Sequence, residues 1–166
     1  MLRHRLRDQL DRGDRHLAAG DLPPVARNVV RQPLAKESPL IRKSFSSGYP
    51  FEDVYGYARA VRVGDHVFVS GTTARPPHLG GDAYQQMTSA IATVAKALDE
   101  AGAELRHVVR TVVYVRDMAD ADHVARAHRE TFGEHRPAST LVQVSALTPV
   151  SARVEVEVTA VVHDAS

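Results

Sequence analysis

The sequence predicts a mixed α/β (α+β) fold in the order ββαβαββ, with two helices packed on one face of a mixed sheet. Three observations predict it: short runs rich in β-branched residues bounded by turn residues, two longer segments with apolar residues at helical spacing, and a last strand in which valines alternate with charged residues.

The first strand covers Tyr57–Val63 and the second His66–Thr72. Gly64-Asp65 between them has the length and composition of a tight hairpin turn. The Pro/Gly-rich stretch Ala74–Gly81 ends the second strand, and Asp82 is placed to cap the helix that follows. That helix, about Ala83–Ala101, sets Met87, Ile91, Val94 and Leu98 on one stripe, and Gly102 stops it. His107–Arg116 is a short β-branched run and reads as a largely buried strand. A second helix, about Ala119–Phe132, repeats the apolar stripe with Val124, Ala125, His128 and Phe132 and ends at Gly133. Two strands, Ala138–Ala146 and Ala152–His163, flank a Thr148-Pro149 turn. In the last of them Val154, Val156, Val158, Ala160 and Val162 fall on one face, for the helices to cover, and Arg153, Glu155, Glu157 and Thr159 on the other. Helices on one side leave the second sheet face for water or another subunit, so a homo-oligomer is expected.

Composition sets outer limits on function. The 166 residues are enough for one domain, and the apolar share of 43% is ordinary for a globular chain. The absence of cysteine excludes disulfide scaffolds, thiolate nucleophiles and thiolate-held metals, and a reducing cytoplasmic setting is expected. No stretch reaches the ~18 consecutive apolar residues of a membrane helix, and no secretory leader is expected. Charge is uneven: Met1–Ser47 holds ten Lys/Arg against five Asp/Glu, and Gly48–Ser166 eleven against fifteen. Residues 1–50 therefore read as a basic N-terminal extension and 51–164 as the domain. Nucleic-acid binding is not expected of an acidic domain. His123 and His128 are spaced wrongly for a shared helical face and there is no H-E-x-x-H, so no metal is expected. No G-x-G-x-x-G, P-loop or G-x-S-x-G pattern occurs, and no cofactor is expected.

Taken together, Y-G-Y-A-R-A-V-R-V-G-D-H-V-F-V-S-G-T-T, H-R-P-A-S-T and R-V-E-V-E-V-T-A-V resemble the Rid/YjgF superfamily, represented by the RidA imine deaminases, over about Phe51–His163. The resemblance implies a chorismate-mutase-like subunit that assembles as a homotrimer, its sheets forming a central barrel with small-molecule clefts between subunits. It also implies hydrolysis of enamines and imines derived from amino acids. In that branch an arginine of a P-A-R-S motif binds the substrate carboxylate, a tyrosine and a serine of the first hairpin line the cleft, and a glutamate of the last strand positions water. The tyrosine matches Tyr57, the serine Ser70 and the glutamate Glu155. The arginine does not match, because this chain reads Pro137-Ala138-Ser139-Thr140, and an asparagine of the second helix falls near Ala125.

The candidate site is accordingly Glu155 as general base, with Tyr57, Ser70, Arg59, Ser139 and Thr140 as substrate-binding residues. Glu157 shares the face of Glu155, and two carboxylates desolvated together raise each other's proton affinity. A hydroxyl cannot reproduce the charge and bidentate geometry of a guanidinium, so a carboxylate ligand would need another cation. Arg59, two residues from Tyr57, is the first candidate and Arg136 the second. With Ser139 and Thr140 in place of the arginine, a neutral or differently oriented ligand is expected, and standard 2-iminopropionate deamination is not. Three functions follow in order: a hydrolase of an imine, enamine or related carbonyl derivative, a non-catalytic trimer binding a metabolite or partner, and an RNA-binding protein or ribonuclease.

Overall fold

The structure, a computed structural model, describes residues 41–163. Within them, one six-stranded mixed sheet runs in the order β1-β2-β3-β6-β4-β5. The strands are β1 (Arg42–Phe45), β2 (Ala60–Val63), β3 (His66–Thr73), β4 (Val108–Val115), β5 (Ala138–Gln143) and β6 (Val154–Val161), and the helices are α1 (Phe51–Tyr55), α2 (Ala83–Glu100) and α3 (Ala121–Phe132). All neighbouring strands are antiparallel except β4 and β5, whose parallel pairing requires the α3 crossover between them. The expected ββαβαββ order is present, preceded by β1 and α1.

The valines of β6 are the backbone of the core. Val154, Val156 and Val158 are buried with Val67, Val69, Val113 and Val115, against Met87, Ile91, Val94 and Leu98 of α2 and Val124 and Phe132 of α3. Period-two burial on β6 meeting the helical stripe is what places both helices on one face of the sheet. Asp82 caps α2 as its position predicts, accepting from the Gln85 amide at 2.8 Å while Gln85 accepts from the Asp82 amide. At the other end Gly102 takes φ +72°, and Nη1 of Arg62 donates to the carbonyls of Ala101 and Gly102, setting a cation on the helix C-terminus.

The N-terminal boundary differs from the sequence expectation. Arg42–Phe45, inside the segment read as an extension, pairs along β2 from Arg42 opposite Val63 to Phe45 opposite Ala60. R-K-S-F carries one apolar residue, so its sequence holds no strand signal; Phe45, packed against the core, and the ladder to β2 hold it. The possible helix over Leu2–Arg15 lies outside the described residues. Among the described residues no helix is long and apolar enough to cross a membrane, and no His/Asp/Glu cluster is arranged to hold a metal.

Candidate functional site

A cleft of about 570 Å³ opens where β3 leaves the sheet beside the start of β6. Tyr57, Arg59, Ser70 and Glu155 all line it, so four of the six residues expected from the sequence come together within one protomer.

Glu155 lies at the centre. Register places it across from Thr73 on one side and Tyr114 on the other, with Glu157 opposite Val112 on the same face. Its carboxylate rests on the backbone of Gly71, where a Cβ would overlap Oε1 of Glu155. This is why the S-G-T run has glycine in the middle. The bulge in the β3–β6 ladder between Val69 and Thr72 falls on the same residues and turns this backbone toward the cleft. Burial, with Glu157 adding a like charge, holds the Glu155 carboxyl above the ordinary carboxylate range, and Arg59 only partly offsets them. Arg153 does not pair with Glu155. It forms two short hydrogen bonds to Asp120, Nη2 to Oδ1 at 2.6 Å and Nε to Oδ2 at 3.0 Å.

Arg59 is 3% exposed, and most of its donors are engaged by the protein. Nη1 donates to Thr72 Oγ1 at 2.8 Å and to the Gly71 carbonyl at 3.0 Å, and Nη2 donates to the Tyr57 hydroxyl at 2.7 Å. Nε faces Oε1 of Glu52 at 3.7 Å without a hydrogen bond. Glu52 is held in turn by Ser46 Oγ at 2.6 Å and by the amide and hydroxyl of Ser47, the hydroxyl at 2.5 Å. Burial raises the Glu52 carboxyl, but these hydrogen bonds and Arg59 outweigh it and the net shift is downward. Arg59 thus braces the β3 bulge and orients Tyr57, a different position from the ligand-binding cation expected of it. Its charge is matched by Glu52, a partner in the stretch between β1 and β2 that the strand pattern does not reveal.

Ser70 donates to the Ala58 carbonyl at 2.8 Å, extending the hairpin past Ala60. The Tyr57 hydroxyl accepts from Arg59, which leaves its own proton to point elsewhere, including into the cleft.

Ser139 and Thr140 lie outside this cleft. On β5 they stand level with Thr111 and Val112. Because register parity decides the face, Thr140 shares the Glu155 side of the sheet from its edge strand, while Ser139 shares the helix side with the buried Thr111. Thr111 Oγ1 donates to Ser139 Oγ at 2.8 Å and lies 2.9 Å from Nε2 of His128. Desolvation lowers the His128 pKa, favouring its neutral form in this chain of uncharged groups. Arg136, at φ 46° in the turn before β5, bonds the Gly133 carbonyl at 3.4 Å and is likewise not a cleft residue.

Several cleft residues carried no sequence signal. Tyr49, Phe51 and Tyr55 form an aromatic flank, Phe51 and Tyr55 stacked with centroids 6.1 Å apart, and Leu79, Leu147 and Pro149 add apolar lining. Buried Gln86 fixes that lining by donating to the carbonyls of Leu79, Gly81 and Ser151 and accepting from the Arg153 amide, so it ties the loop before α2 to the approach to β6.

Residues 51–162 match the family described as Endoribonuclease L-PSP. An uncharacterized protein of Streptomyces coelicolor is 41% identical over 117 residues, which cover 69% of this chain and 87% of that one. The 2-iminobutanoate/2-iminopropanoate deaminase of Mus musculus is 31% identical over 75% of this chain and 94% of its own. Among solved structures, a Mycobacterium tuberculosis member of the YjgF/YER057c/UK114 family superposes with a TM-score of 0.70 at 41% identity, covering 74% of this chain and all of that one. A YjgF protein of Neisseria meningitidis gives 0.66 at 26% identity, over 77% and 100%. With its ββαβαββ core and the S-G-T bulge under Glu155, this chain belongs to the Rid/YjgF family.

Proposed function

We propose that this chain hydrolyses the C=N bond of an imine or enamine, or acts on a related carbonyl derivative, bound in the cleft above the β3 bulge. The observation that carries this reading is Glu155: a carboxylate with raised proton affinity, set on the Gly71 backbone in one cleft with Tyr57 and Ser70. In the hydrolysis, water adds to the imine carbon, the nitrogen takes up protons, and the carbinolamine collapses to a carbonyl and ammonia. Glu155 is suited to take the proton from water and return it to nitrogen, because a base with a pKa moved toward neutrality can do both. Tyr57, its oxygen already accepting from Arg59, donates to the bound ligand. The named activity of the mouse relative supports the reaction class. The serine at position 139, bonded within its own protomer, supports a substrate other than standard 2-iminopropionate.

A homotrimer with clefts completed between subunits belongs to the same proposal. Phe68 and Val142, both exposed on the face that carries Glu155, support association through that face. A monomeric mass in solution at micromolar concentration contradicts it.

The test is ammonia release from freshly generated 2-iminopropionate and from bulkier imines, comparing the native chain with Glu155→Ala and Ser139→Arg. Turnover by the native chain that is lost in Glu155→Ala is the expected result. The second reading, a non-catalytic trimer that binds a metabolite, is favoured by the missing cation at position 139. It prevails if activity appears only in Ser139→Arg.

A further inference from the structure

Two arginines line the cleft among the described residues, Arg59 and Arg75. The first is committed to Tyr57, Gly71, Thr72 and Glu52. Arg75 is held differently. Beyond β3 the alternation of burial continues, with Thr72 and Ala74 at 2% exposure and Thr73 and Arg75 half-buried toward the cleft. The Arg75 guanidinium lies over the Tyr49 ring, 4.4 Å from its centroid, and Nη2 reaches Ser47 Oγ at 3.3 Å, the long limit of a hydrogen bond. Among the described residues no carboxylate is within ion-pair distance of it. A half-buried cation held by an aromatic face and one weak bond can exchange that bond for a carboxylate at little cost.

Its distance along the chain from the reacting centre matters. Thr73 stands opposite Glu155, and Arg75 leaves the backbone two residues further on, roughly 7 Å away at the rise of an extended strand. The guanidinium reaches toward Tyr49 and Ser47, whereas the Glu155 carboxylate rests on Gly71. We infer that Arg75 is the anion-binding residue of this cleft, and that the cleft takes imines or ketones whose carboxylate stands several bonds from the C=N or C=O carbon rather than directly on it. Tyr55, Leu147 and Pro149 then face the apolar span between the two ends of the ligand. The inference rests on the cleft assigned under the proposed function and replaces the lost strand β5 arginine with a cation from the loop after β3.

Binding to the full chain, measured by calorimetry, tests it with unreactive probes. Levulinate is a ketone with two methylenes before its carboxylate, pyruvate carries the carboxylate directly on the carbonyl carbon, and pentan-2-one has none. The expected result is levulinate bound about tenfold or more tightly than either, as for one charged hydrogen-bonded contact. Arg75→Gln removes that preference, Arg75→Lys keeps part of it, and pentan-2-one binds alike to all three. Unchanged levulinate binding in Arg75→Gln, tighter binding of pyruvate, or no binding of levulinate by the native chain overturns the inference. Thermal melting checks that the variants fold. If levulinate binding depends on Arg75 while no imine is hydrolysed, the hydrolase reading falls and the assignment of Arg75 stands.

Discussion

The two halves of the expected site, the bulge of β3 with Glu155 and the edge strand β5 with Ser139, differ in the groups they bring together. At the bulge the expected residue types are present and interlocked: Glu155 on Gly71, Ser70 on the Ala58 carbonyl, and Tyr57 held by an arginine neutralised by Glu52. At β5, Ser139, where the resemblance leads one to expect an arginine, stands in a chain of neutral groups from Ser139 through Thr111 to His128. On the proposed function, reaction chemistry and ligand charge recognition are therefore separable. A base and its hydrogen-bond partners need fixed mutual geometry, whereas a cation can be supplied from any element whose side chain reaches the ligand.

Removing one residue from each half separates their roles. Glu155→Gln keeps shape and removes the base, so imine turnover is expected to fall about 10²- to 10⁴-fold. Ser139→Ala removes only a neutral hydroxyl from the β5 side, and ammonia release is expected to stay within about twofold because no charge is lost. Equal losses in both variants would show that the β5 hydroxyl chain takes part in the chemistry.

Gly71→Ala comes next. The added Cβ meets the Glu155 carboxylate, and Gly71 has no positive φ, so the substitution acts by displacing Glu155 rather than by straining the backbone. A displaced base is expected to cost about 10²-fold in kcat, as misplacements of about 1 Å do, with melting temperature little changed. A large loss of stability with normal activity would mean that the glycine serves the bulge and not the carboxylate.

How much of this was legible in the sequence differs between the halves. Period-two alternation marked β6 and the side of the sheet that Glu155 occupies, and the helical stripes marked which face the helices cover. Asp82 and Gly102 marked the two ends of α2. Glu155 falls in a segment with a strong strand signal, so its register could be followed by counting, whereas Tyr57 precedes β2, shorter than the Tyr57–Val63 strand expected, and Ser70 lies in the β3 bulge, where counting fails. The contacts of Arg59 could not be followed either, because its partner Glu52 lies in a stretch without periodic pattern. Arg75 has no sequence signal for a similar reason: it sits in a Pro/Gly-rich loop, where sequence records a break in structure and not a direction. The aromatic flank of Tyr49, Phe51 and Tyr55 falls at the expected boundary between extension and domain, and β1, on the extension side of it, is part of the sheet.

Glu52 and Glu155 are shifted in opposite directions. Glu52→Gln leaves the buried Arg59 without its ion-pair partner, and breaking such a pair is expected to cost about 3 kcal/mol in a denaturant titration. The sign of the pH dependence follows from the lowered Glu52 pKa. In the folded chain this carboxyl binds its proton less readily than in the unfolded chain, so its stabilisation is present above the unfolded value and is lost as pH falls through the folded one. The native chain should therefore lose stability on acidification through this window more steeply than Glu52→Gln. Parallel acid unfolding curves for the two would remove Glu52 as the anchor of Arg59.

The smallest effect separates burial from like charge at the base itself. Burial is the larger cause of the raised Glu155 pKa and Glu157 the second, so Glu157→Gln removes only the lesser one. The acidic limb of kcat/KM, which follows ionisation of the base in the free protein, is expected to move to lower pH by less than about one unit, with the plateau rate nearly unchanged. The direction is the informative part. A limb that stays in place means that desolvation alone sets the pKa and that Glu157 is a solvated strand residue. A limb that moves upward means that the charge at position 157 does not act on Glu155 as a repelling neighbour. Stability gives an independent reading of the same shift: a raised folded-state pKa favours the folded chain at low pH and stops doing so as pH rises through that value, opposite to Glu52. Glu157→Gln should therefore lessen the part of the stability loss that the native chain shows as Glu155 ionises, while the acid-side loss anchored at Glu52 remains.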